Sequence, residues 1–178
     1  MWSQELCMAV TRIAAVAHAE QTVPGTELPY LLHVTQVAME VAAALRVESG
    51  HDEDLVMQCA LLHDTLEYTI VTYTQLAATF GSAVANGVLA LSKDPALPKE
   101  AQMADSLRRI QLQPRAIWLV KLVDRIVNLQ APPKYWPIAK IAAYREEACG
   151  ILDTLGKASP LLAARLMTKL ATYGIEQA

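Results

Sequence analysis

The stretch Trp118-Leu119-Val120-Lys121-Leu122-Val123-Asp124-Arg125-Ile126-Val127-Asn128-Leu129 decides the fold. Its apolar residues surround a helix almost completely, which marks that helix as central. Lys121, Asp124 and Asn128 interrupt it at spacings of three and four, so they form one polar stripe. A polar stripe on a buried helix faces a cavity or a network, because each member must find a partner. The alternative is Asp124 paired with Lys121 or Arg125 on a solvated face.

Outward from this segment the same helical period recurs. Pro114 opens the central helix at a tolerated first-turn position, and Pro132 and Pro133 follow its end. Upstream, helices are expected over 4–18, 30–45, from Asp52 or Asp54 to His63, over 72–80, from a Ser82 cap to Leu91, and over 99–110. Gly81 separates two of them. Downstream, 138–155 is a long helix with Gly156 as its C-cap, and Ser159-Pro160 starts a last one that reaches Tyr173. Residues 20–29 and 94–98 are loops. No convincing alternating strand appears. The expected fold is all-α, with about eight or nine helices.

The chain has 178 residues, one domain's worth, and we expect a single domain over 1–178. Apolar residues make up 53% and charged residues 19%, which excludes a disordered chain. With only 7 Gly and 9 Pro, the balance favours helices over a turn-rich sandwich. The net charge of −3 disfavours bulk nucleic-acid binding, although a small phosphorylated ligand needs only a few local cations. No apolar run reaches membrane-spanning length, and no signal peptide is evident. Cys7, Cys59 and Cys149 are scattered and form no CxxC pair, so a reducing cytoplasm is the expected location.

Three further segments carry polar residues that amphipathicity does not explain. In Tyr30-Leu31-Leu32-His33-Val34 a lone histidine sits at an apolar helix start. In Cys59-Ala60-Leu61-Leu62-His63-Asp64-Thr65-Leu66-Glu67 an apolar run ends in adjacent His and Asp. On one continuous helix His63 and Glu67 share a face. Such a cluster is either a divalent-metal site, for which both donor types suit, or a helix-end ion-pair cluster. Lys140 and Tyr144 also share a helix face, and taken alone read as solvated.

The order His33, His63-Asp64, Asp124 resembles the HD superfamily of metal-dependent phosphohydrolases, an all-helical fold with an H…HD…D ligand signature. Pro29-Tyr30 with His33, the Leu61–Thr65 segment, Phe80-Gly81 and the 121–128 run look like the hydrolase domain of the RelA/SpoT family. With no room for a synthetase domain, the match is to small stand-alone alarmone hydrolases, the metazoan SpoT homologues among them. The resemblance implies a Mn²⁺-dependent hydrolase of the stringent-response alarmone (p)ppGpp that removes the 3′-pyrophosphate and leaves GDP or GTP. Another divalent ion is also compatible. Carried over, His33, His63, Asp64 and Asp124 would bind the metal. Asp64 and Glu67 would be catalytic, with Glu67 on the attacking water. Asn128, Lys99, Lys140, Tyr144 and Lys121 would be on the substrate side. The implied partner is a small phosphorylated nucleotide, with neither bulk nucleic acid nor membrane; a homo-oligomer stays open.

The chain departs from the family pattern in three places. Tyr68 follows Glu67 where the family usually has Asp. The 21–27 loop carries no cation where basic residues are common. Val34 replaces the usual proline after the first histidine. The first two motivate alternatives: an HD hydrolase of another phosphorylated nucleotide (an adenine alarmone, or NADPH at its 2′-phosphate), or a catalytically weakened nucleotide-binding regulatory module.

Overall fold

In the computed structural model, which describes residues 1–174, the chain forms nine helices of eight residues or more, one single-turn helix and one 3-10 turn. In chain order these are α1 (Gln4–Ala17), α2 (Leu31–Leu45), α3 (Glu53–Leu62), α4 (Thr65–Tyr68), α5 (Tyr73–Phe80), α6 (Ser82–Leu91), α7 (Lys99–Gln111), α8 (Arg115–Asn128), α9 (Ile138–Leu155) and α10 (Pro160–Thr172). The 3-10 turn, Gly156–Ala158, lies between α9 and α10. Among the described residues the sole β feature is an isolated antiparallel bridge, Thr22 to Pro29, that closes the first loop. The all-α expectation therefore holds.

Helix α8 is the axis of the bundle, as its sequence predicts. Every residue from 116 to 127 is buried, and α8 packs against α2, α3, α6, α7, α9 and α10. Helix α3 is its apolar counterpart, buried from Leu55 through Leu62. Burial on all sides is what the near-continuous apolar runs require, since one exposed face would leave Leu or Val in water. Helix α6 comes close to both: a Cβ on Gly87 would lie 2.5 Å from Ile117 Cδ1 and 2.9 Å from Cys59 Sγ. Only glycine permits that approach.

Side-chain caps fix the starts of α1, α3, α5 and α10. Asp52 accepts from the Leu55 N–H at 3.0 Å, so it and not Asp54 caps α3; Asp54 instead accepts the Ser3 N–H at 2.7 Å. Thr72 and Gln75 form a capping box at α5, and Ser159 caps α10 with Pro160 in its first turn. Two expectations shift by one residue. Ser82 is the first residue of α6, not its cap. The junction residue is Gly81, at φ 86°, whose carbonyl accepts the Ala85 N–H. Pro114 is the N-cap of α8 rather than a first-turn residue, and its carbonyl accepts the Ile117 N–H at 2.9 Å.

A third difference bears on the site. The helix entering His63 does not continue to Glu67. Helix α3 ends at Leu62, and the one-turn α4 starts at Thr65. The Thr65 hydroxyl donates to the Leu62 carbonyl at 2.7 Å, supplying a partner that the interrupted helix no longer provides. His63 and Asp64 thus sit at a break, where two adjacent side chains can turn to one point.

Candidate active site

Four donor atoms from three elements meet beside α8. His33 comes from the first turn of α2, His63 and Asp64 from the α3–α4 break, and Asp124 from the polar stripe of α8. The two Nε2 atoms are 3.2 Å apart. Asp64 Oδ2 lies 3.0 Å from His63 Nε2 and 3.6 Å from His33 Nε2. Asp124 Oδ1 lies 3.5 Å from His33 Nε2 and 3.6 Å from His63 Nε2. His33, His63 and Asp64 satisfy a metal-donor spacing, all mutually within 4.8 Å. Ligands about 2.1 Å from one ion stand about 3.0–3.4 Å from their neighbours; the His33–His63 and His63–Asp64 spacings fall in that range, and Asp124 stands slightly further off, outside the group of three. Two imidazoles and two carboxylates are also the mixed N/O set that first-row divalent ions accept.

His63, Asp64 and Asp124 are each held by a further hydrogen bond. His63 Nδ1 faces the Ala60 carbonyl at 2.8 Å, which makes it the donor and leaves Nε2 bare toward the cluster. Tyr30 donates its phenol to Asp64 Oδ2 at 2.5 Å. Asp124 accepts from Asn128 Nδ2 at 2.6 Å on Oδ1, and from Lys121 Nζ at 3.1 Å on Oδ2. The electrostatics follow. Burial by itself would depress His63, but Asp64 and Asp124 outweigh it and raise the imidazole well above its ordinary value. Burial opposes charge on Asp124 too, yet Lys121 and the two imidazoles hold its carboxyl well below the usual range. Asp64 is lowered against burial by His63.

In front of the cluster opens a cleft of about 220 Å³. Tyr30, His63, Asp64 and Asp124 are part of its wall, with Glu67 and Tyr68 on one flank. Lys93, Lys121 and Arg125 bring positive charge, and Asn128, Tyr144 and Glu147 complete the α8–α9 side. The Glu67 carboxylate accepts the Lys93 backbone N–H at 2.8 Å, which ties α4 to the loop after α6. Tyr68 is half exposed; burial of the rest, then its hydrogen bond to Glu67, pushes the phenol up, so it is no base at neutral pH. Arg125 stacks 4.1 Å over the Tyr144 ring, donates to the Tyr144 carbonyl at 3.4 Å and pairs with Glu147.

Most residues singled out from the sequence converge here: His33, His63, Asp64, Glu67, Lys121, Asp124, Asn128 and Tyr144. His33 stands behind the cleft wall. Lys99 and Lys140 do not line the cleft. Lys99 is exposed at the start of α7, and Lys140 turns its Nζ onto the Trp136 ring at 3.9 Å. Lys93 and Arg125 supply cations there instead. Tyr30, Arg125 and Glu147 escaped selection as site residues. Arg125 had a visible signal, a second buried charge beside Asp124. Glu147 had none, because its partner lies on another helix.

Comparison with known proteins agrees with this arrangement. An HD-domain family profile matches residues 10–166. The guanosine-3′,5′-bis(diphosphate) 3′-pyrophosphohydrolase MESH1 of Xenopus tropicalis is 29% identical over 175 residues, 96% of each chain. The human protein of that name is 31% identical over 147 residues, 80% of each. The bifunctional (p)ppGpp synthase/hydrolase SpoT of Escherichia coli is 36% identical over 66% of this chain, which spans only 17% of SpoT. A solved structure described as a metazoan orthologue of SpoT that hydrolyses ppGpp superposes with a TM-score of 0.85, covering 98% of this chain and 99% of its own, at 23% identity. At that identity the superposition speaks for the fold. From the profile over residues 10–166 and an all-helical bundle that brings the H…HD…D residues together, the chain belongs to the HD-domain family.

Proposed function

We propose that the chain is a metal-dependent phosphohydrolase that removes the 3′-pyrophosphate of (p)ppGpp, and that residues 1–178 form a single domain dedicated to this reaction. The observation that carries it is the convergence of His33, His63, Asp64 and Asp124 at 3.0–3.6 Å beside a cleft holding three cations. The relatives named as 3′-pyrophosphohydrolases, matched over nearly their whole length, support the choice of substrate.

His33, His63, Asp64 and Asp124 would hold the ion, with Mn²⁺ the first choice and other divalent ions compatible. When bound, such an ion supplies Lewis acidity toward phosphorus-bound oxygen and lowers the pKa of water. The protein does the rest. Glu67, fixed through Oε2 by the Lys93 N–H, orients the attacking water and takes its proton on the other oxygen. Lys121, Arg125 and Lys93 offset charge on the pyrophosphate as it develops. Asn128, exposed at the end of α8, meets the sugar, and Tyr144 closes the α9 side. Water adds to phosphorus, the bond from phosphorus to the ribose 3′ oxygen breaks, and the products are pyrophosphate and GDP (or GTP). We place the reaction in the cytoplasm.

One observation favours a second reading. Tyr68 stands at the cleft flank where a carboxylate is usual, and its phenol cannot serve as a base. Loss of one acid-base group is worth about 10²–10⁴-fold in rate. The chain would then be a weakened hydrolase or a nucleotide-binding regulatory module. The test is release of pyrophosphate from ppGpp with Mn²⁺, beside His63→Ala and Tyr68→Asp. Turnover abolished by His63→Ala supports the hydrolase; a gain with Tyr68→Asp marks it as attenuated. Metal binding without turnover of ppGpp overturns the substrate assignment.

A further inference from the structure

A groove of about 490 Å³ runs between α2 and α10 and shares no lining residue with the metal cleft. Its floor is apolar and buried: Ala44 from α2, Val127 from the end of α8 and Leu162 from α10. Its rim is apolar and uncovered, with Met39 71% and Leu161 40% exposed. An ion pair in its wall, Arg165 to Glu40, crosses from α10 to α2 and adds no net charge. The Leu161 N–H also donates to the Glu48 carboxylate at 3.0 Å. The two helices are thus tied at two points, and the groove is formed in advance.

Gln130 also lines a second groove, of about 390 Å³, beyond the end of α8, so the two are continuous. The second differs in charge. Lys134 and Lys169 line it, and no carboxylate does. Neither lysine forms an ion pair among the described residues. Lys169 follows Arg165 by four positions on α10 and continues the same face. Glu40 neutralises the first of these cations and leaves the second free to act. The result is one slot, apolar at one end and positive at the other. At about 490 Å³ its apolar part is within the ~300–1,000 Å³ that seats a small ligand.

We propose that this slot binds a single-chain amphiphile with an anionic head, its alkyl tail laid between α2 and α10 over Val127 and its head between Lys134 and Lys169. A tail in the groove takes its own surface and that of Met39 and Leu161 out of water together. A head beyond Gln130 meets two ammonium groups and no carboxylate. A membrane surface matches less well, since attraction to anionic lipid draws on clusters of about four or more basic residues. The site goes beyond the phosphohydrolase reading and does not depend on it.

The experiment is calorimetric titration of the protein with dodecanoate, decanoate and dodecyltrimethylammonium, each below its micelle-forming concentration. We expect one dodecanoate per chain and a raised melting temperature, since the ligand binds the folded state. Decanoate binds about tenfold or more weaker, because each buried methylene is worth about fourfold. The cationic amphiphile is also weaker by about tenfold or more, because like charges then face each other. Lys134→Ala combined with Lys169→Ala weakens dodecanoate by about tenfold or more and leaves Mn²⁺ affinity unchanged, since neither lysine lines the metal cleft. The head and tail series needs only wild type, so a variant that fails to fold does not spoil the test. No binding of dodecanoate, equal affinity for decanoate, or equal affinity for the cation overturns the proposal. So does a lowered melting temperature, which marks binding to the unfolded chain. Adherence to phosphatidylcholine–phosphatidylserine vesicles without uptake of dodecanoate assigns the face to a membrane. A doubled mass in sedimentation that dodecanoate leaves unchanged assigns it to a second copy of the chain. Either result also overturns the site.

Discussion

Helices α6 and α8 are both largely buried and lie against each other, yet they bury different things. Helix α6 contributes Val84, Ala85, Gly87, Val88, Ala90 and Leu91, all without charge. Helix α8 buries Lys121, Asp124 and Arg125 among Leu, Val and Ile. Burying an ionised group costs several kcal/mol unless partners compensate. On α8 they do: Lys121 and Asn128 serve Asp124, and Glu147 serves Arg125. The difference teaches that α6 buries only uncharged groups, while α8 carries an electrostatic cost that named partners on α8 and α9 offset.

Substitutions can break that contrast. The largest effect is expected at Asp124. Asp124→Ala removes a metal donor and leaves Lys121 unpaired, so turnover should fall at least about 10³-fold, the equivalent of several kcal/mol of transition-state stabilisation. Steady-state pyrophosphate release checks this; a loss under tenfold would return the stripe to a mere ion-pair role. Next is Tyr30→Phe, which deletes only the hydrogen bond to Asp64. Metal affinity should drop about 10–100-fold with thermal stability nearly unchanged, read by direct Mn²⁺ titration and a melting curve.

The α6 side should respond in the opposite sense. Gly87→Ala places a methyl against Ile117 and Cys59, and overpacking of this kind costs about 1–3 kcal/mol. Chemical denaturation should report that loss while Mn²⁺ affinity stays within about twofold. A variant that lost metal affinity as much as stability would show that α6 is not separable from the site. The smallest effect lies away from both. On α7, Arg109 and then Arg108 hold the Asp105 carboxyl below its ordinary value. Its contribution to stability is therefore present above the unfolded pKa and lost as pH falls through the lower folded one. The gap in urea midpoint between wild type and Asp105→Asn should be small near neutrality and vanish in acid. A gap that widened in acid would contradict it.

Much of the site was legible because its key residues disobey their local pattern. His63-Asp64 ends an apolar run, and Lys121, Asp124 and Asn128 stripe an apolar helix. Both are costly unless they meet something. The contact of Asn128 with Asp124 follows from a spacing of four and is present at 2.6 Å. The shared face of Glu67 and His63 was argued from one continuous helix; the helix breaks at His63-Asp64, yet both still line the cleft, and Glu67 accepts the Lys93 N–H. Lys99 and Lys140 were carried over from the family resemblance, whereas in the bundle they do not line the cleft, where Lys93 and Arg125 stand instead.

By itself the sequence determined the helical class, most helix limits and the central place of α8, while the four donor residues were named through its resemblance to the HD family. The first three depend on composition, periodicity or spacing within one element, where helical geometry fixes who neighbours whom. Only the tertiary structure decided that His33 on α2 reaches His63, that Tyr30 bonds to Asp64, and that Arg125 finds Glu147 and Tyr144. Those relations join residues on different helices. They depend on how the helices cross and how closely they approach, which packing of the whole core sets and no local spacing encodes.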